Sequence, residues 1–228
     1  KRMEMQKLEV FDFDGTLFRN PLDTPENRKK YEKETGIPWH IDKAKSQELT
    51  KKLGRFVPMR TGWYGKAETL MPPLVPDPVP AEFFINTVCD RFLESKYDGN
   101  CKTVLMTGRH AGIAHAVFRL CDQGGLMKLS KENSKDGKVY YKLEDPHLDV
   151  WFAGQEGPNP KLVGPKPNDY STLEWKLWVL EQYSKIYNAV QCEEVEIEMW
   201  EDRDEHVEEF RRFLPALFSK VTVNHVKE

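Results

Sequence analysis

Five short apolar runs punctuate the chain: Leu8–Phe13, Lys102–Thr107, Leu148–Phe152, Val195–Trp200 and Val221–Val226. Each is rich in β-branched or aromatic residues, and runs of this length and composition predict strands. Between them apolar residues return at helical spacing. Phe84, Val88 and Phe92 do so within 81–95, and residues 112–121 continue from the second run. Leu173, Leu177, Leu180 and Ile186 mark 172–188, and Val207, Phe210, Phe213, Leu214 and Leu217 mark 204–218, with Pro215 as a kink or end. Strands separated by helices predict an α/β Rossmannoid fold, a mostly parallel sheet with helices on both faces. In such sheets ligands bind beyond the carboxyl ends of the strands.

Two stretches break the alternation. Residues 19–80 are polar and then proline-rich, from Met71-Pro72-Pro73 to Pro80, which predicts a cap-like insertion followed by an extended connector. Residues 123–147 carry Gly124-Gly125 and a charged run through Lys138, expected as a loop or β-excursion. The Gly/Pro-rich 154–167 segment reads as a loop. The expected division is a core of 1–18 and 81–228, with 19–80 as the insertion.

A length of 228 residues suits one α/β core with an insertion. No apolar run approaches the roughly 20 residues of a membrane-spanning helix, and no secretory pattern stands at the start. Cys89, Cys101, Cys121 and Cys192 form no C-x-x-C pair and suggest no disulfide framework. They read as reduced residues of an intracellular protein, with cytoplasm, nucleus and mitochondrion not distinguished. His110 and His115 are five apart, on different sides of a helix, and do not make a zinc motif. The net charge of −3 does not advertise a nucleic-acid binder, but its distribution is uneven. Residues 19–66 hold twelve Lys/Arg against six Asp/Glu, and 191–214 hold ten acids against three bases. The basic half could attract a phosphorylated substrate or form a solvated helical surface.

The chemistry gathers at strand ends. Asp12 and Asp14, in Phe11-Asp12-Phe13-Asp14-Gly15-Thr16, close the first strand. Alternation along a strand puts them on one side. One carboxylate can attack a phosphoryl phosphorus, a second can move protons, and together they suit a hard cation such as Mg²⁺. An ordinary turn after a strand uses the same residue types. Thr107, Gly108 and Arg109 end the second strand, where a hydroxyl and a guanidinium can bind phosphate. Lys176 follows the possible helix caps Ser171 and Thr172, with Lys166 as the alternative cation. Glu201 and Asp202 end the fourth strand, and His206 follows four residues after Asp202.

The four segments, in this order, resemble the haloacid-dehalogenase (HAD) phosphatase superfamily, whose first motif is D-x-D-G-[TS]. The resemblance implies Asp12 as nucleophile and Asp14 as general acid/base. It implies Mg²⁺ held by the Asp12 carboxylate, the Asp14 backbone carbonyl and Asp202. It implies Thr107 as the phosphate-binding hydroxyl and Lys176 as the charge-balancing ammonium. Glu201, which stands where relatives often have Asp, could orient a metal-bound water or Lys176, and His206 could contact substrate or simply occupy a helix face. Thr107-Gly108-Arg109 is the version seen in polynucleotide 3′-phosphatase relatives. With Ser171-Thr172-Leu173-Glu174-Trp175-Lys176 and Glu201-Asp202-Arg203-Asp204-Glu205-His206, it is similar to the HAD domain of Swiss Army Knife RNA-repair-like proteins. The resemblance covers roughly 7–18 and 81–226, not 19–80.

Three functions stay open at this stage. The first is a phosphomonoesterase acting on a 3′-phosphate of RNA or DNA. The second is a phosphatase of small metabolites beneath a cap. The third is a non-catalytic module held with other domains in a larger ribonucleoprotein or repair complex, against which the intact acids argue.

Overall fold

The computed structural model describes residues 7–36, 39, 43–54, 57, 62–135, 137, 139–153, 170–191 and 195–227. Lys166, Cys192 and the 154–167 loop lie outside these residues.

The five expected strands pair into one parallel sheet. They are β1 (Lys7–Phe11), β2 (Cys101–His110), β5 (Leu148–Ala153), β6 (Glu196–Glu201) and β7 (Lys220–His225), in the order β5-β2-β1-β6-β7. β1 lies at the centre, so Asp12, the residue after it, is flanked by the ends of β2 and β6. The 123–147 excursion is a separate antiparallel hairpin, β3 (Leu129–Asn133) with β4 (Val139–Leu143).

Alternation along the strands divides the core in two. Phe11, Leu105, Val150, Phe152 and Trp200 face α3 (Asn86–Tyr97) and α4 (Ala114–Gln123) through Val88, Phe92, Val117 and Leu120. Leu8, Val10, Val104, Met106, Ile197 and Met199 face α5 (Thr172–Gln191) and α6 (Asp204–Phe213) through Trp175, Val179, Leu180, Val207 and Phe210. A sheet covered on both faces needs apolar residues at successive positions, which explains the near-continuous runs in the sequence. Pro215 sits in a 3₁₀ turn, Leu214–Ala216, that follows α6.

The 19–80 stretch holds α1 (Pro25–Thr35) and α2 (Lys43–Leu53). Thr24 caps α1 by accepting the Asn27 N–H, Pro25 opens it, and Gly36 closes it at φ 68°. The proline-rich part does more than the extended connector expected of it. It begins in a 3₁₀ turn, Ala67–Leu70, and buries Leu70 and Val75 in the α3/α4 side of the core. Cys89, Cys101 and Cys121 are buried free thiols, and burial pushes the Cys89 and Cys101 thiols up to about 12.

One polar network crosses the α5 side. The buried Tyr183 hydroxyl accepts the Trp151 Nε1–H at 2.8 Å and donates to Asp149 Oδ2 at 2.6 Å. Burial, and then Asp149, push the phenol well above its ordinary value. The native state therefore holds this proton more tightly than the unfolded chain. Its stabilising contribution is complete below about pH 10 and is lost as pH rises from there through the folded value. Tyr183→Phe should lower stability at neutral pH by about 1–3 kcal/mol, because the Trp151 N–H loses its acceptor. The gap between variant and wild type should narrow above pH ~10. Thermal melting of both proteins at the two pH values checks this, and a gap that widens in alkali would contradict it.

Candidate active site

The carboxyl ends of β1 and β6 and the early turns of α5 bring together four sequence-predicted residues, Asp12, Glu201, Asp202 and Lys176. Ser171 Oγ accepts the Glu174 N–H at 3.2 Å and so starts α5, which puts Lys176 in the early turns of a helix packed by the buried Trp175. The ammonium donates to Asp12 Oδ1 at 3.0 Å and to Glu201 Oε2 at 2.8 Å. Lys176 and Glu201 are almost fully buried, and Asp12 is nearly so. Burial alone pulls the Lys176 ammonium down. Asp12 and Glu201 overturn that, and the net pKa is raised. Burial acts on Glu201 in the opposite sense, yet Lys176 holds it well below the usual carboxylate range. Asp12 is raised well above its usual value, by burial first and then by the Glu201 charge, against the pull of Lys176.

Asp202 completes the cluster. Ligand oxygens of Asp12, Glu201 and Asp202 lie within 4.8 Å of one another. Buried Asp202 Oδ1 has no hydrogen-bond partner, and no Lys or Arg pairs with this carboxylate among the described residues. Burial and the neighbouring Glu201 push Asp202 up to about 6. Three carboxylates thus share one ammonium, and one of them has an orphaned oxygen. A hard divalent cation with oxygen ligands fits that deficit. Glu201, expected to orient a metal-bound water or Lys176, bonds Lys176 and stands within the acid cluster. The Asp14 carboxylate turns to Arg109.

Asp14 is held by Arg109. The guanidinium donates from Nε to Asp14 Oδ1 and Oδ2 at 3.0 and 2.9 Å, and from Nη2 to Oδ1 at 2.6 Å. Its remaining nitrogen, Nη1, donates to the Tyr64 carbonyl at 3.1 Å and the Thr69 hydroxyl at 3.0 Å. Arg109, expected either to pair with phosphate or to be a surface cation, is a buried side chain on the last residues of β2, engaged by a carboxylate and by the 62–70 segment. Tyr64 and Thr69 escaped the sequence reading because nothing in the local pattern of residues 62–70 points to Arg109.

Glycines shape the close approaches. Gly15 adopts φ +71°, and a Cβ there would stand 2.2 Å from Asp202 Oδ2. It is required both by its conformation and by the acid beside it. A Cβ on Gly108 would meet Thr172 Cγ2 at 2.7 Å, so Gly108 lets α5 close on β2. Buried Thr107 accepts the Arg109 N–H at 3.1 Å, and its hydroxyl can donate at the same time. His206, buried on α6, has Nδ1 3.6 Å from Glu201 Oε2, a contact too long for a direct hydrogen bond. A cavity of about 530 Å³ opens beside Asp202, lined in part by Gly15, Arg19, Asn20, His225 and Lys227. His110 precedes α4 and accepts the Gly112 N–H through Nδ1, away from any metal cluster among the described residues.

The model of HAD domain family 1 in Swiss Army Knife RNA repair proteins matches residues 47–227. The chain belongs to that family. The matched stretch contains Thr107, Arg109, Lys176, Glu201, Asp202 and His206. Asp12 and Asp14 precede it and join the others through the sheet. A search among curated proteins returns no match. Among solved structures, the HAD domain of the effector protein Lem4 from Legionella pneumophila, an inactive mutant, aligns with a TM-score of 0.36 at 9% identity. That alignment covers 97% of this chain and 85% of the other, a likeness too low to carry an argument.

If the cluster takes Mg²⁺, the ion should stabilise the fold independently of any reaction. At a concentration about 100-fold above its Kd it contributes about 2.7 kcal/mol, a rise in Tm of roughly 5–10 °C for a chain of this size. Asp202→Asn should abolish the rise. With metal chelated, the variant should melt at or above wild type, since one buried repulsive charge is gone. Equal Mg²⁺-induced shifts in both proteins would contradict the assignment.

Proposed function

We propose that this member of the HAD domain family is a Mg²⁺-dependent phosphomonoester hydrolase that works through an aspartyl-phosphate on Asp12. The observation that carries the reading is the buried cluster in which one ammonium serves Asp12 and Glu201 while Asp202 keeps an unpartnered oxygen. Such an excess of buried carboxylates is costly unless a cation balances it.

In the first step a carboxylate oxygen of Asp12 attacks phosphorus, and the bond from phosphorus to the leaving oxygen breaks as that oxygen takes a proton from Asp14. In the second, Asp14 takes a proton from water, the water oxygen attacks the same phosphorus, and phosphate leaves a regenerated Asp12. Lys176 keeps Asp12 oriented and offsets the charge gathered around it. Thr107 offers a hydroxyl proton to a phosphoryl oxygen. Arg109 fixes the direction of Asp14, which must free one oxygen from the Nε/Nη2 edge to reach the leaving group. Asp12, Asp202 and the Asp14 carbonyl would hold Mg²⁺, with Glu201 beside them. The ion supplies neutralisation of phosphoryl charge and alignment of the attack.

For substrate, the family's RNA-repair description supports a phosphorylated nucleic-acid end, and we propose a 3′-phosphate on RNA or DNA. Residues 19–80 would serve as the cap-like part over the core. A Mg²⁺-supplemented panel should compare 3′-phosphorylated oligonucleotides with sugar and nucleotide monophosphates, for wild type and Asp12→Asn. The expected result is oligonucleotide turnover by wild type and a loss of about 10³-fold or more in the variant. Preference for the monophosphates would move the substrate to small metabolites. Full activity in Asp12→Asn would refute the mechanism.

A further inference from the structure

We infer that a second pocket, between α4 and the β3–β4 hairpin, is a stacking site for a nucleobase of the substrate whose phosphate sits at Asp12. This rests on the nucleic-acid reading above and adds to it a place for the base. The pocket holds about 500 Å³, within the range of small-molecule sites, roughly 300–1,000 Å³. Its lining includes the apolar Met71, Ala116 and Val139 and the larger His115, Arg119, Tyr140 and Tyr141.

Four features point to a base. First, the walls are π-faces and cationic or cation-capable groups, with no carboxylate among the lining residues. Every nucleobase has a π-face for such side chains, and the phosphodiester next to it carries negative charge. Second, Arg119 is pinned in place. Its Nη2 donates to the Leu70 carbonyl at 2.8 Å, and Nη1 lies 3.5 Å from Asp77 Oδ1, so the guanidinium is held at the pocket rather than free to swing. Third, Tyr141 is backed by Phe118 at 6.4 Å, itself against Phe152, while Tyr140 is 55% exposed. Both tyrosine rings belong to the pocket lining.

The fourth feature is location. Met71 stands two residues from Thr69, whose hydroxyl holds Arg109, and Arg109 holds Asp14. Gly112, also in the lining, is three residues past Arg109 on the β2–α4 connection. The pocket therefore draws part of its lining from the same two segments that hold the proposed general acid.

The test measures binding of a fluorescein-labelled, single-stranded tetranucleotide with a 3′-phosphate, with metal chelated so that nothing is turned over. Tyr140→Ala should weaken binding roughly 5- to 100-fold, the range of one lost base–aromatic stack, and Tyr140→Trp should keep it. An oligonucleotide abasic at its 3′ end should bind wild type as weakly as the intact one binds Tyr140→Ala. Mg²⁺-dependent turnover of p-nitrophenyl phosphate, which has no nucleobase, should be unchanged by Tyr140→Ala. Equal oligonucleotide binding by wild type and Tyr140→Ala, or none by wild type, overturns the pocket and leaves the phosphatase reading intact if p-nitrophenyl phosphate is hydrolysed. No hydrolysis of any phosphomonoester, with binding still lost in Tyr140→Ala, overturns the phosphatase reading and keeps the pocket. An equal loss of p-nitrophenyl phosphate turnover would show that Tyr140 supports the fold and would overturn its role as a base platform.

Discussion

The Lys176 ammonium, buried between Asp12 and Glu201, is the interaction on which the site depends. Two carboxylates and one ammonium out of water are tolerable only while each is paired, and removal of one partner from a buried pair typically costs about 3–5 kcal/mol. The pairing ties three elements to one point: the end of β1, the end of β6 and the early turns of α5. The sheet order that places β1 between β2 and β6 makes this convergence possible. Asp202 is the excess charge in the arrangement. Its upward shift comes from burial and then from the nearby Glu201 charge, and its Oδ1 has no partner.

A second buried cation extends the logic outward. Arg109 spends its Nε/Nη2 edge on Asp14 and its other nitrogen on the 62–70 segment. The polar stretch that interrupts the strand–helix alternation is thereby connected to the residue that would move the proton. Arg119 repeats the theme one turn further along, reaching the Leu70 carbonyl from α4. The segment that looks like a spacer in the sequence is thus fastened at two arginines, and its apolar residues Leu70 and Val75 enter the core.

Much of this was legible before any coordinates. The five strands and the four long helices of the core follow from periodicity, because a buried parallel sheet and amphipathic helices leave distinct apolar patterns. The convergence of Asp12, Lys176 and Asp202 followed from three short segments at strand ends or a helix start. What escaped was set by tertiary neighbours. Glu201, read as a partner for Lys176 or a metal-bound water, also stands within reach of Asp12 and Asp202 because β6 carries it level with Asp12. Arg109 turns to Asp14 because Thr69 and the Tyr64 carbonyl wait on its other side. No spacing along the chain records either fact. The 123–147 hairpin was ambiguous because its strands are half-exposed and rich in charge, so their alternation is faint.

The central claim is that Asp12 carries the phosphoryl group. Its most direct test is an acid quench of the Mg²⁺-loaded protein during turnover of a phosphomonoester, followed by peptide mass spectrometry of the segment containing Asp12. The account predicts a phosphoryl adduct on Asp12 that hydroxylamine removes and that Asp12→Asn never forms. Turnover that continues at the wild-type rate in Asp12→Asn, with no adduct in either protein, would contradict it.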